Sequence, residues 1–268
     1  MILKNKVVLV TGAGSRAGVG FAIAKQMTLE GAKVIATDIK DPVESASAVR
    51  AMGCPCESMS LDVTDSRAVN ECMDRLWDKY GGVDVLVNNA GVCLAVPLLD
   101  TTDDIWDKTI AVNLSGVYHC GTAWARRTVA NGRRGKIVNI SSYCVEYPSM
   151  NQTAYAASKG GVYMLSKNMA LELAPYYINV NCVAPAGLST NILAAGNIAL
   201  NNMGHGNKVL DPSAMNIIET DVTQDECENP ERGLLPYDAA RAAVFLASPD
   251  ADHISGQTIY IGGFEHIL

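Results

Sequence analysis

Long apolar runs are missing from this chain: none approaches the roughly 18 residues needed to span a bilayer. Positive charge is also scarce. Lys and Arg number 21 against 28 Asp and Glu, a net charge of −7. Neither nucleic acid nor an anionic membrane surface is therefore expected as a partner, because both need a basic face. Paired metal-ligand spacing is absent as well. The histidines (119, 205, 253, 266) make no HxxxH. The cysteines (54, 56, 72, 93, 120, 144, 182, 227) make no CxxC. No zinc or other metal site is expected, and Cys54-Pro55-Cys56 is the one close pair. The thiols read as free, buried or half-buried groups of a reducing cytosol. Met1–Lys6 leads straight into a strand pattern without the layout of a signal peptide, so a cytoplasmic location is expected.

What the chain does have is apolar bulk in short pieces. Its 268 residues are 49% hydrophobic and 18% charged, enough for a sizeable core in a single α/β domain. Strand patterns are read at 6–11, 33–38, 56–61, 83–87, 135–141, 178–184 and 257–261. Helical patterns are read at 19–30, 65–80, 101–130, 153–174 and 236–247, with a cap at Thr101 or Thr102 and a stop at Pro175. Strands without strict alternation, separated by helices, specify a parallel sheet covered on both faces. Right-handed crossovers then make it a doubly wound, Rossmann-like sheet. One stretch breaks the rhythm. Residues 191–232 are rich in Asn, Met and acidic groups (Glu219, Asp221, Asp225, Glu226, Glu228) and are too long for a mere connector. The segment is read as a substrate-covering flap, opening with a short helix at 191–202.

A glycine-rich turn, Thr11-Gly12-Ala13-Gly14-Ser15-Arg16-Ala17-Gly18-Val19-Gly20, follows the first strand and opens the first helix. That context specifies a phosphate cradle: Gly12 for a tight turn, Gly18 for close approach of backbone to a pyrophosphate, Gly20 for helix–strand packing. Ser15, Arg16 and Val19 belong to the same loop, and the helix N-terminus adds free N–H groups. Asp38 ends the second strand, where a carboxylate can accept both ribose hydroxyls of NAD and oppose a 2′-phosphate. Asp62-Val63 and Asn88-Asn89-Ala90-Gly91 end the next two strands, at the sheet edge where ligands collect. Further on, Ser142 precedes Tyr155 by thirteen residues and Lys159 by seventeen. Tyr155 and Lys159 share a helix face. A neighbouring ammonium and an oxidised nicotinamide both favour phenolate, so Tyr155 is expected to have a lowered pKa and to act as general base, with Ser142 holding the substrate oxygen. A second YxxxK, Tyr163 and Lys167, is turned about 80° around the helix and reads as core or subunit interface.

These motifs, in this order and over almost the whole chain, resemble the classical short-chain dehydrogenase/reductase family. The glycine turn, Asn88–Gly91, Asn113 in Asn-Leu-Ser-Gly, Ser142, Tyr155 with Lys159, and Asn181–Pro185 carry the resemblance. It implies a catalytic tetrad of Asn113, Ser142, Tyr155 and Lys159. Asn113 would position a water linking Lys159 to solvent, and Lys159 would also bond the nicotinamide ribose. Thr190 would contact the carboxamide. It further implies a homotetramer, with the helices around 101–130 and 153–174 at one interface. Three departures stand out. The glycine loop is two residues longer than the family's, which places Arg16 near the phosphates. Pro185-Ala186-Gly187 replaces Pro-Gly, and Ile261-Gly262-Gly263-Phe264 lacks a polar residue before the glycine pair. Pro185 and Gly187 are expected at the nicotinamide, and Ala186, Leu188, Cys144 and Tyr147 around the substrate. The reading is an NAD(H)-dependent oxidoreductase interconverting a secondary alcohol and a ketone on a neutral, partly apolar small molecule such as a steroid, a cyclic or aromatic ketone, or a diol. The alternatives are a 3-oxoacyl-thioester reductase, a sugar or polyol dehydrogenase, and a non-catalytic NAD-binding regulator.

Overall fold

Val-Val-Leu-Val-Thr at Val7–Thr11 is almost wholly buried, so it can satisfy its backbone only between two other strands. In the computed structural model, which describes residues 1–188, 190–206 and 233–262, it does so as β1. Its neighbours are β2 (Lys33–Asp38) and β4 (Val85–Asn88). With β3 (Cys56–Ser60), β5 (Gly135–Ile140), β6 (Ile178–Pro185) and β7 (Thr258–Ile261) they form one parallel sheet in the order β3-β2-β1-β4-β5-β6-β7. The order reverses between β1 and β4, which opens a crevice at the carboxyl ends of those strands.

The helices are α1 (Val19–Leu29), α2 (Val43–Arg50), α3 (Ser66–Tyr80), α4 (Asp103–Ile110), α5 (Gly116–Ala130), α6 (Thr153–Leu173), α7 (Ile192–Asn202) and α8 (Pro236–Ala247). They cover the two faces. Val8 and Val10 pack on one side with Phe21, Ile23 and Met27 of α1 and the alanines of α8. Leu9 and Ile35 pack on the other with Leu76, Trp124 and Ile137. Alternate residues of each strand thus feed separate cores, the pattern of a sheet buried on both faces. No helix among the described residues is long and apolar enough to cross a membrane.

Several boundaries differ from the sequence reading for local reasons. Asp65 is the cap of α3, its carboxylate accepting from the N–H groups of Arg67 and Ala68, rather than its first residue. The helix α2 is absent from the sequence reading. The helix expected over 101–130 starts at Asp103 and carries a π-helical stretch, Ala111–Ser115, between α4 and α5. Thr102 occupies its cap position, but its hydroxyl donates to Asp104 and caps no backbone group. The fourth strand begins at Val85 rather than Val83, and β5 ends at Ile140, so Ser142 opens a 3₁₀ turn (Tyr143–Val145) beyond the strand. Of the expected flap, residues up to Gly206 are described; the rest, with its acidic cluster and Cys227, lies outside the described residues, as does Gly263-Phe264 of the tail.

Candidate active site

The carboxyl ends of β1 to β6 all open into one cleft of about 1080 Å³. At one end stand Gly12, Gly14, Ser15, Gly18, Val19 and Asp38; at the other stand Ser142, Cys144, Tyr147, Tyr155 and Lys159. Asp62, Val63, Asn89, Ala90, Gly91, Pro185, Ala186, Gly187, Leu188 and Thr190 line it between and around these groups. Two of the predicted cofactor residues do not. Gly20 is buried beneath the loop, where a Cβ would lie 2.2 Å from the Gly12 carbonyl oxygen, so its role is packing. Arg16 is exposed and is not part of the lining, although its loop neighbours Ser15 and Gly18 are.

The glycine cradle fits a dinucleotide. Gly12 has φ +68°, and a Cβ there would sit 2.6 Å from the Cα of Ala90. Only glycine lets the turn after β1 approach the turn after β4 this closely. The Gly14 N–H donates to Asp38 Oδ2 at 2.8 Å, and the Ile39 N–H donates to Oδ1 at 2.8 Å. These two bonds fix the carboxylate at the end of β2. The loop is held from below by α2, whose Ser45 hydroxyl donates to the Gly14 carbonyl at 2.9 Å. Gly14 and α2 were not identified as functional from sequence. The extended spacing of the motif drew attention to Gly12 and Gly18, and α2 is short and serine-rich. Asp41 and Glu44, just before and within α2, also line the cleft, so this end carries three carboxylates against Lys40.

Asn89 lies in the cleft, yet its amide is used within the protein. Nδ2 donates to the carbonyls of Thr11 (3.0 Å) and Gly12 (2.9 Å), while the Asn89 and Ala90 N–H groups donate to the Thr11 hydroxyl. It locks one turn to the other. Asn113 is fully buried. Its Oδ1 accepts from the Val92 N–H at 2.8 Å, and its Nδ2 donates to the Val92 carbonyl (2.9 Å) and the Ser158 hydroxyl (3.0 Å). The π stretch that carries it places it against α6 and the loop after β4 together, a common use of such bulges.

Lys159 is buried, and its Nζ donates to the Ile140 carbonyl at 2.8 Å. The same nitrogen lies 5.7 Å from the centre of the Tyr155 ring. Burial lowers the Lys159 pKa to about 8, with the neighbouring thiols Cys144, Cys182 and Cys93 pulling the other way. The Tyr155 phenol is pushed well above its usual range, first by burial and then by Cys93 and Cys144, against a hydrogen bond with Ser142. In the protein alone, burial thus works against the lowered phenol expected from sequence, an expectation that counts an oxidised nicotinamide beside the ring as well as the Lys159 ammonium. Ser142 also accepts from the Cys144 N–H at 3.3 Å, so the hydroxyl sits between Tyr155 and the backbone of the next turn. The structure therefore brings all four tetrad candidates to one end of the cleft or its immediate wall.

Cys93, which the sequence reading left among the buried thiols, lines the cleft beside Tyr155, as do Tyr143 and Gln152. Ile192, Leu193 and Ala195 of α7 also line the cleft, so the opening helix of the expected flap borders it. Asn191, at the cap position of α7, is tied to the glycine loop by the Ser15 hydroxyl, which donates to its Oδ1 at 3.0 Å.

Comparison with known proteins agrees with this geometry. The model of the short chain dehydrogenase family matches residues 6–200. The chain is 35% identical to a 3β-hydroxysteroid dehydrogenase of Eggerthella lenta, covering 97% of this chain and 94% of that protein. It is equally 35% identical to a 3-oxoacyl-(acyl-carrier-protein) reductase of Thermotoga maritima, over 98% of each chain. A solved short chain dehydrogenase of Mycobacterium smegmatis superposes with a TM-score of 0.78 at 28% identity, over 97% of this chain and 92% of that one.

Proposed function

This chain belongs to the short-chain dehydrogenase family, and we propose that within it the protein is an NAD(H)-dependent oxidoreductase interconverting a secondary alcohol and a ketone on a neutral, partly apolar small molecule. The observation that carries the reading is the polarity of the cleft: a fixed Asp38 at one end and the Ser142–Tyr155–Lys159 group at the other. When bound, the dinucleotide supplies hydride exchange. Gly12, Gly14, Ser15 and Gly18 would hold its phosphates, Asp38 its adenosine ribose, and Lys159 and Thr190 its nicotinamide half. Ser142 orients the substrate oxygen by hydrogen bonding. Tyr155 holds the proton that the oxygen gains in reduction and takes it back in oxidation. Lys159, in its charged form, favours the phenolate. Asn113 holds the loop after β4 through its bonds to Val92 and, as in the family, would serve a relay of protons from Lys159 to solvent. Exposed Tyr118 on α5 and Met164 and Leu171 on α6 support the further proposal of a homotetramer built on those helices.

Cofactor choice tests the reading. Asp38, Asp41 and Glu44 line the end of the cleft where a 2′-phosphate would sit, and among the described lining residues Lys40 is the cation next to them. A like-charge contact of a few ångströms costs several kcal/mol at an effective dielectric of ~20. About 2.7 kcal/mol is already a hundredfold. With a panel of secondary alcohols, kcat/KM is expected to favour NAD⁺ over NADP⁺ by at least about a hundredfold, and Asp38→Ala to erode this mainly by improving NADP⁺ use. Equal use of both cofactors by the unaltered protein, above all with 3-oxoacyl thioesters, would instead favour a thioester reductase.

A further inference from the structure

The substrate end of the cleft is unusually aromatic for a chain in which aromatics make up 6% of residues. Tyr143 and Tyr147 both line it, and their rings are stacked, 4.9 Å between centroids and 4° from parallel. The 3₁₀ turn after Ser142 produces this: the N–H groups of Glu146 and Tyr147 both bond the Tyr143 carbonyl, which brings the second ring back over the first. Tyr147 lines the cleft and remains 56% exposed although one face of its ring is stacked on Tyr143. The pair is held from outside the site. Tyr260 of β7 meets Tyr143 edge-on, 5.6 Å between centroids at 90°. Its hydroxyl donates to Glu146 Oε1 at 2.6 Å. Tyr260 pairs in register with Ala184, so the brace is anchored in the sheet and not in a loop.

An open aromatic face, pre-set in a stacked pair, contributes dispersion and quadrupole contacts to another flat ring at little entropic cost. A flexible chain gains less and loses rotational freedom. Charge points the same way. The exposed Glu146 carboxylate stands beside the pair, whereas the cleft's other described cations, Lys40 and Lys108, lie toward Asp38 and Asp62. Apart from Lys159, the described residues offer no cation here to receive a carboxylate or phosphate. We propose that Tyr143 and Tyr147 are a ring-stacking platform, braced from β7 by Tyr260 through Glu146, that selects neutral substrates with a planar ring next to the reacting carbonyl. Tyr260 is a positioning residue in this scheme, since it does not line the cleft. The proposal rests on the ketone–alcohol reading of the site and names its substrate class.

The test compares 1-tetralone with 2-decanone, two neutral ketones of equal carbon number, in NADH-dependent reduction. Turnover of either ketone tests the oxidoreductase reading; the ratio of their kcat/KM values tests the platform. The ring ketone is expected to win by about tenfold, the scale of one good aromatic contact. Tyr147→Ala should remove most of that ratio and Tyr147→Phe should keep it. Tyr260→Phe, which keeps the edge-on ring but loses the bond to Glu146, should lower the ratio roughly threefold through the KM of the ring ketone. Glu146→Ala should do the same, Glu146→Gln should not, and Tyr260→Phe with Glu146→Ala should add nothing to either change alone. Calorimetric binding of the two ketones to the protein with NAD⁺, which has no hydride to give a ketone, makes the same comparison without turnover, so a protein that reduces neither still tests the platform. A ratio near one in the unaltered protein, or an undiminished ratio in Tyr147→Ala, would overturn it.

Discussion

At the scale of single residues, the site presents an acid that the protein alone keeps protonated. Tyr155 is held above its usual range by burial, while Lys159 is lowered to about 8. In ketone reduction this is the form required, because the phenol must carry a proton to give. In alcohol oxidation the phenol must first lose it, so the rate of oxidation is expected to rise from pH 6 to 9, with reduction flat or falling over the same range. Tyr155→Phe should abolish turnover by at least about a hundredfold, the usual contribution of a positioned acid–base group, while the affinity for NADH measured by fluorescence stays almost unchanged. Lys159→Ala should damage both, since the ammonium serves the phenol and the ribose. More than a tenth of the original kcat in Tyr155→Phe would show that the proton travels by another route. Ser142, Tyr155 and Lys159 were legible because their spacing is short or falls on one helix. What could not be read was each group's surroundings: Cys93 reaches Tyr155 from the loop after β4, and the thiols that bear on its proton are far apart in sequence.

At the scale of elements, what could be read depended on length and periodicity. The long apolar strands and the helices α1, α3, α6 and α8 were evident in outline. The helix α2 was not: Val-Glu-Ser-Ala-Ser-Ala-Val-Arg buries only Ser45, Ala46 and Val49, and it reads as a polar connector. The π stretch around Asn113 was equally hidden, because an apolar pattern continues through it on both sides. Asn89 was assigned to the cofactor from its turn; it lines the cleft, and its amide also joins that turn to the glycine loop, which the sequence did not disclose. The helix α7 was foreseen in extent, and its contacts decide how it works. Gly196 sits so close to the loop after β4 that a Cβ would lie 1.9 Å from the Cys93 carbonyl oxygen. Leu200 packs with Leu94, Val96 and Ile105 in a small cluster apart from the two main cores. Gly196→Ala should therefore lift α7 from its seat without unfolding the sheet. Overpacking of this kind costs about 1–3 kcal/mol. Substrate KM is expected to rise roughly tenfold, within the range that such a displacement implies, while the thermal midpoint moves by only a few degrees. An unaltered KM would mean that α7 does not close over the bound substrate.

At the scale of the whole molecule, the scattered thiols become a single property. Cys56, Cys72, Cys93, Cys120 and Cys182 are buried in different parts of the structure, and burial raises the pKa of each. Cys56, Cys72 and Cys182 are pushed up to about 11 and Cys93 to about 12. A group whose folded pKa lies above its unfolded value stabilises fully below the unfolded value, near 9, and loses that contribution as pH climbs to the folded one. Between pH 9 and 11 the unfolded chain therefore binds fewer protons than the native state, and stability falls. Lys159 works in the opposite sense. Its lowered value makes the native state bind fewer protons between about 8 and 10.5, so it contributes a rise over that window. One lysine against five thiols leaves the balance falling. Urea unfolding under strong reductant should show an almost level midpoint from pH 7 to 8.5, then a steady decline to pH 10.5. The slope depends on several groups together, so removing one should flatten it only slightly, and Cys72→Ala with Cys120→Ala should flatten it measurably after allowance for the cavities. Added salt should leave most of the decline in place, because the effect is proton binding by buried groups and not repulsion among exposed charges. A midpoint that holds or rises from pH 9 to 10.5 would mean that the thiols ionise as readily in the native protein as in the unfolded chain.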